Sequence, residues 1–373
     1  MIALTDSKSH CRLSDVCTIP ELKLEPTPFL ALDLDAMEHN IALMARWFDS
    51  RPARLRPHVK HHKSTEIALM QSRAGAVGVT CSTTDEVAAM VGAGLDALLA
   101  NIVTHPTRLE SLAASARRGV VTVAVDSPES ARLLDDAMAR AKAECGVVID
   151  MDVGMGRTGV RGVDPACELG DFVASLSNLR LRGVMAYEGH CVRIQDSRER
   201  EAAVAAAFAP VEKVFRELER RGHRLDMVTG GSTSTYDASG SLAFMTDVQA
   251  GTYVLMDTSY TALTPEFRLA AVIVTSVLSS RPSGEIVVDV GSKRQATDGG
   301  QPMLAGLSAT SIGPSEEHYQ FEISNGVTPR VGERVAVIPG HTCTTMSMYR
   351  RAFGFRGRSL EREIAIDARD PNA

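Results

Sequence analysis

The sequence predicts an α/β chain, a (β/α)8 barrel of the TIM type followed by a C-terminal antiparallel β domain. Three observations carry this reading. From about residue 26, short apolar runs alternate with helical patterns, as in βα units whose sheet is covered on both faces. Eight such runs fall before residue 230, the number a closed barrel needs, with a doubly wound sheet as the alternative. After residue 260 the helical patterns stop and β-rich runs divided by Gly and Pro take over, the mark of a separate antiparallel domain.

The expected barrel strands are 29–33, 55–59, 76–80, 98–102, 120–125, 147–152, 181–187 and 225–229, each short enough to be buried on both faces. Helices are expected at 35–48, 64–73, 84–93, 108–116, 127–142 and 197–220. Asp35 with Glu38 three residues on reads as the cap of the first helix, whose Met37, Ile41, Met44 and Trp47 follow the helical period. Thr84 with Glu86 offers a similar start. The barrel then spans 26–258 and the β domain 259–373, with strands at 267–274, 284–290, 318–323 and 332–338. The segment 1–25 is expected to join the β domain through a strand at 19–24, and the chain from Ser359 onward reads as a loose tail.

Composition narrows the function. The 373 residues are 44% hydrophobic and 23% charged, a globular balance with room for two or three domains. A net charge of -6 argues against a nucleic-acid partner. No apolar run is long enough for a membrane span, and no apolar core of a signal peptide follows the N-terminus. Seven dispersed cysteines (11, 17, 81, 145, 167, 191 and 343) read as free thiols in a reducing, cytoplasmic setting.

The residues that carry chemistry follow predicted barrel strands, where such barrels gather their sites. The first cluster is Arg56-Pro57-His58-Val59-Lys60-His61-His62-Lys63. In isolation Lys60 is a solvated charge in a basic run. At a strand's C-terminal end, however, its amine can be desolvated, lose its proton and form a Schiff base with a carbonyl cofactor. The second runs from Asp152 through Gly154, Gly156 and Arg157 to Gly159. Its glycines permit close backbone approach and its arginine offers donors to an oxyanion. Tyr187-Glu188-Gly189-His190 adds a ring that could stack on a cofactor and an imidazole that could move a proton. Gly230-Gly231-Ser232-Thr233-Ser234 suits a phosphate, since glycine amides open a nest and hydroxyls add donors. Gly251-Thr252-Tyr253 could close that site.

In the β domain, His341 and Cys343 stand two apart, so an extended segment would turn both to one side. Together they offer N and S to a borderline-soft ion, most plausibly Zn²⁺, with water and substrate completing an open site. A packed histidine beside a buried thiol is the plainer alternative.

Taken in order, these motifs resemble a pyridoxal-phosphate-dependent family, the one that contains eukaryotic D-serine dehydratase, D-threo-3-hydroxyaspartate dehydratase and D-threonine aldolase, with the alanine-racemase type of barrel (fold type III). The resemblance runs over roughly residues 25–350, with Ser315-Glu316-Glu317-His318 among its signatures. It implies that Lys60 carries pyridoxal 5'-phosphate. Arg157 then lies near the cofactor's phenolic oxygen, Tyr187 lines the ring, and Gly230, Gly231, Ser232, Thr233, Gly251 and Tyr253 take the phosphate. His341 and Cys343 match the metal pair, with Mn²⁺ or Mg²⁺ as alternatives to zinc. His61 stands where the family usually has threonine, an ionisable departure beside the lysine.

The implied substrate is a small D-β-hydroxy amino acid such as D-serine, D-threonine or D-3-hydroxyaspartate, and the implied assembly a homodimer. Lys60 is then the natural base for the Cα proton. Elimination to a 2-oxo acid and ammonia is placed ahead of retro-aldol cleavage to glycine and an aldehyde. The reason is that Cys343 occupies a place where aldolase-like members carry an oxygen ligand. In the aldolase alternative, His190 or His61 takes the hydroxyl proton.

Overall fold

A computed structural model of the chain describes residues 13–369. After two 3-10 turns (Leu13–Thr18 and Pro20–Leu22) come strand β1 (Phe29–Asp33) and helix α1 (Leu34–Asp49). The chain then alternates β2 (Arg54–Leu55), α2 (Thr65–Arg73), β3 (Val79–Cys81), α3 (Thr84–Gly92), β4 (Ala97–Leu99), α4 (Pro106–Ala116), β5 (Val121–Val125) and α5 (Pro128–Ala141). It continues through β6 (Cys145–Met151), α6 (Val163–Ala174), β7 (Leu179–Ala186), α7 (Ser197–Arg220), β8 (Met227–Gly230), α8 (Tyr236–Gly240) and β9 (Asp247–Val248). Two compact units result. One comprises Met44–Lys60 and Ile67–Gly251; the other comprises the chain up to Leu43, His61–Glu66, and everything from Thr252.

The first unit is the barrel. Its eight strands are all parallel, in the order β2-β9-β8-β7-β6-β5-β4-β3. The ends of that order join, because Val77 N donates to Leu55 O and Thr80 N to Pro57 O, both at 2.9 Å. Every residue of β3, β4, β5 and β8 is buried, which is why these strands read as apolar runs without alternation. Leu98, Ala124, Val148, Met185 and Met227, from five neighbouring strands, pack as one apolar cluster.

The fold class is as expected, but the membership of the barrel is not. Residues 29–33 are no barrel strand: β1 pairs antiparallel with 271–274 and parallel with 353–355. The eighth barrel strand is β9, two residues long and too short to show a period. Helix α6 was also unexpected, its pattern broken by Pro165 and Gly170.

A buried charge marks the seam of the barrel. Arg56, just past β2, is 3% exposed. Its Nη1 lies 2.7 Å from Asp96 Oδ1 and its Nε 3.5 Å from Asp247 Oδ1, the second an ion pair too long for a good hydrogen bond. Burial works against the guanidinium charge, but Asp247 and Asp96 outweigh it and hold the group more firmly protonated than usual. Asp150, near the end of β6, is the opposite case. Burial pushes its carboxyl from 3.8 to about 6, although the Thr158 hydroxyl donates to it at 3.1 Å.

The second unit is built on a nine-stranded sheet. To β1 it adds β10 (Ala271–Ser280), β11 (Glu285–Val288), β12 (Met303–Leu304), β13 (Ser308–Pro314), β14 (Tyr319–Asn325) and β15 (Arg334–Ile338); helix α9 (Thr342–Met346) precedes β16 (Arg351–Arg356) and β17 (Ser359–Ala365). The order is β13-β14-β11-β10-β1-β16-β17, with β15 on β10 and β12 on β15. All pairs are antiparallel except β1 with β16. Phe29, Ala31, Val272, Val274, Ala336, Ile338 and Phe355 form its core, and Val16, Ile19 and Leu22 pack against them.

Three expectations are corrected here. The stretch 19–24 forms a 3-10 turn rather than a strand. The supposed tail from Ser359 is β17, paired with β16 along its length. Helix α1 is capped by Asp33, which accepts from Ala36 N at 3.1 Å, while Asp35 and Glu38 pair with Arg356. Among the described residues no helix is long and apolar enough to cross a membrane. Six cysteines are free thiols, and Cys11 lies outside the described residues.

Arg56→Leu should cost about 3–5 kcal/mol of unfolding free energy, because it leaves two carboxylates without their cation; denaturant unfolding measures it, and a cost near zero would show that the seam does not depend on this charge. Asp150 contributes stability in full below an unfolded value of 3.8 and loses it as pH rises through about 6. Asp150→Asn should therefore stabilise the protein by up to about 3 kcal/mol near pH 8 and by much less near pH 4, as a melting series against pH would show.

Candidate functional site

Parallel strands place all their C-terminal ends on one rim. Going round from β2 through β9, β8 and β7 to β6, that rim carries Lys60, Gly251, the 230–235 loop, the 187–190 segment and the 152–159 loop in unbroken succession. Lys60 sits in a 3-10 turn (Val59–His61). It is half-buried, whereas every other residue from Leu55 to Ser64 is buried. His58 N donates to Ala250 O at 3.1 Å, which fixes the turn against the strand end next to it.

The loop after β8 is crowded. A Cβ on Gly230 would come within 2.3 Å of Ala186 O, and one on Gly231, whose φ is +85°, within 2.8 Å of Val248 Cγ1. Only glycine fits this cradle. The amides, however, do not form the open nest that the sequence suggested. Gly231 N donates to Glu188 Oε2 at 3.2 Å, and Ser232 N donates to Thr235 Oγ1 at 2.9 Å. Ser234 Oγ donates to Val192 O at 2.8 Å. Glu188 is wholly buried and also accepts from Thr235 Oγ1 at 2.5 Å and Ser239 Oγ at 3.1 Å. Burial raises its carboxyl above the usual range against the pull of those donors. Sequence reasoning gave Glu188 no role and did not single out Thr235 or Ser239. The one available signal was a carboxylate inside an aromatic-Gly-His motif.

Arg157 and Tyr187 meet as expected for neighbours on a rim, with the guanidinium carbon 5.6 Å from the ring centroid. His190 is exposed, and its ring lies against Gly154, where a Cβ would meet Cε1 at 2.8 Å. Asp152 shapes this loop by accepting from Gly154 N at 3.1 Å, Gly156 N at 3.0 Å and Arg161 Nε at 3.0 Å.

The remaining expected residues belong to the second unit. His61 is 8% exposed, and Thr252 Oγ1 lies 3.3 Å from both ring nitrogens. Tyr253 is fully buried, its ring centroid 5.7 Å from that of Phe267. Ser315 to His318 forms an exposed turn closed by Ser315 N donating to His318 O at 2.8 Å.

His341 and Cys343 are brought together, but not by an extended segment. His341 is extended (φ -146°) and precedes α9, while Cys343 lies in that helix's first turn. A hydrogen bond with Cys343, helped by Asp298, raises the imidazole from 6.5 to about 9. Asp298 Oδ1 holds His341 Nδ1 at 2.9 Å, the carboxylate–imidazole contact that commonly orients a metal ligand. Among the described residues no group of three or more His, Cys, Asp or Glu side chains is arranged for a metal. Two donors could hold an ion only in an open site.

The family model "Alanine racemase, N-terminal domain" matches residues 32–259, and "Putative serine dehydratase domain" matches 270–355. The chain is 32% identical over 356 residues to 3-hydroxy-D-aspartate aldolase of Paracoccus denitrificans, covering 92% of each. It is 34% identical to the solved D-threonine aldolase from Filomicrobium marinum, with a TM-score of 0.89 over 92% of this chain and 95% of that one. With D-threo-3-hydroxyaspartate dehydratase from Delftia sp. HT23 the identity is 26% and the TM-score 0.82, over 92% and 98%. A rim bearing Lys60, a glycine cradle and an arginine over a tyrosine, on a chain matched along nearly its whole length, identifies a lyase of the pyridoxal-phosphate-dependent, fold type III alanine-racemase-like family, to which this chain belongs.

Proposed function

We propose that the chain cleaves D-3-hydroxy amino acids by a retro-aldol reaction, giving glycine and an aldehyde, with pyridoxal 5'-phosphate at the barrel rim. The carrying observation is the unbroken arc from Lys60 to the 152–159 loop, which sets an amine, a glycine cradle, an aromatic ring and an imidazole side by side. The cofactor fits that arc. Lys60 Nζ would hold its carbonyl carbon, and the hydroxyls of Ser232 and Thr233 would meet its phosphate above glycines that leave no room for a Cβ. Tyr187 and Arg157 would flank its ring. When bound, the group withdraws electrons from the bonds at the substrate's Cα.

The protein's own residues then move the protons. His190 takes the proton of the β-hydroxyl, and Lys60 Nζ returns one to Cα. His190 suits this role better than His61 because it is exposed on the rim, whereas His61 is buried against Thr252. His341 and Cys343 would hold a divalent ion, Zn²⁺ ahead of Mn²⁺ or Mg²⁺ on account of the sulfur, and such an ion polarises an oxygen ligand.

Retro-aldol cleavage is placed first because, of the three relatives described, both aldolases are nearer in sequence than the dehydratase. This reverses the order expected from Cys343. Elimination stays as the second reading on one observation, the thiol hydrogen-bonded to His341 where an aldolase-like pattern would have an oxygen donor. The reading extends to a homodimer in the cytoplasm, whose assembly sedimentation would test.

Incubation with D-threonine or D-3-hydroxyaspartate should yield glycine with acetaldehyde or glyoxylate; a 2-oxo acid and ammonia in their place would establish elimination. Lys60→Ala should abolish turnover while the fold persists. For His190→Ala, kcat should fall by about 10²–10⁴-fold with the absorbance of the bound cofactor unchanged, and a parental kcat would remove His190 from the scheme. Chelation should silence the enzyme until Zn²⁺ or Mn²⁺ is restored.

A further inference from the structure

We propose that Glu188 is a positioning residue whose buried carboxyl clamps the 230–235 loop into the shape that receives the cofactor's phosphate. The inference rests on the cofactor reading above and gives that loop a cause. A carboxyl beside an anion site is at first sight a liability, since its charge would repel a phosphate. Here both carboxyl oxygens are taken by the loop and the helix after it. Oε1 accepts from Thr235 Oγ1 (2.5 Å) and Ser239 Oγ (3.1 Å), and Oε2 accepts from Gly231 N (3.2 Å).

Thr235 carries the clamp one step further. With its proton given to Glu188, its oxygen is left to accept Ser232 N at 2.9 Å, and the Ser232 hydroxyl lies 3.1 Å away. Two consecutive loop amides are thereby turned to the protein. Of the three loop hydroxyls besides that of Thr235, that of Ser234 is spent on Val192 O, and Ser232 is the most exposed residue, at 7% against 1% for Thr233 and Ser234. A glycine-led loop held in this way is ordered before the phosphate arrives, so binding does not have to supply that order.

The test compares pyridoxal 5'-phosphate with pyridoxal, which lacks only the phosphate, in absorbance titrations of the full-length apoprotein. Glu188→Gln puts an N–H where Gly231 N needs an acceptor or where Thr235 needs one. Thr235→Val removes the hydroxyl at nearly constant volume and reads the clamp from its other end, should the first variant fail to fold. Each should weaken pyridoxal 5'-phosphate by about tenfold or more and leave pyridoxal binding at the parent's level, and Thr235→Ser should restore the loss. Parental affinity for pyridoxal 5'-phosphate in a folded variant, or an equal loss of both ligands, would overturn the proposal. If the parent itself fails to prefer the phosphorylated form, the cofactor reading of the loop falls, and that is seen before any variant is made.

Discussion

The barrel depends on one buried cation. Arg56 follows a first strand of only two residues, and the last strand beside it is equally short. Such short ladders choose a register weakly. A guanidinium that must face Asp96 and Asp247 together, almost without water, restricts the choice. The gain is in specificity rather than in stability, since well-packed apolar residues in place of all three charged groups together would be no less stable, whereas loss of Arg56 alone strands two carboxylates. Lys60 lies four residues on, in a turn tied by His58 to Ala250. The placement of the amine is therefore a consequence of how the barrel is closed.

Much of this was legible in the sequence, and the misses have physical causes. Helix 197–220 is legible to the residue because it is long, amphipathic and capped by Asp196, which accepts from the amides of Arg198 and Glu199. The pattern of strand β1 points to the wrong sheet because all five of its residues are buried. A strand covered on both faces looks the same in a parallel barrel as in the middle of a mixed sheet. β17 reads as a tail because Glu361, Arg362 and Glu363 crowd it; it is an edge strand, where charge is at home.

The positions of the rim motifs are more legible than the fold's borders, because the motifs are local. Lys60, Tyr187, Arg157 and His190 all lie at strand ends on one rim, as their positions in the chain suggested. What could not be read was which loop donors remain for a ligand. That depends on Glu188 and Thr235 meeting across 47 positions of the chain, and no spacing rule encodes such a contact. In the second unit His341 and Cys343 meet at the start of a helix rather than along an extended segment.

Glycine and carboxylate recur together around this rim, and the pairing answers a conflict. Close approach of the backbone to a ligand requires glycine, yet glycine leaves a loop more freedom to lose than any other residue. In each case a carboxylate removes that freedom. Asp152 holds the amides of Gly154 and Gly156, Asp126 holds that of Gly159 at 3.3 Å, and Glu188 holds that of Gly231. Asp126 and Glu188 reach these glycines from the end of the preceding barrel strand, so each of the two loops is fixed in part by its neighbour. The arrangement also disposes of charge, because a carboxyl group engaged by amides has part of its field cancelled where an anion would otherwise feel it. On the reading proposed above, a rim that receives a phosphate can thus contain several acids without repelling it, provided that those acids are spent on the loops.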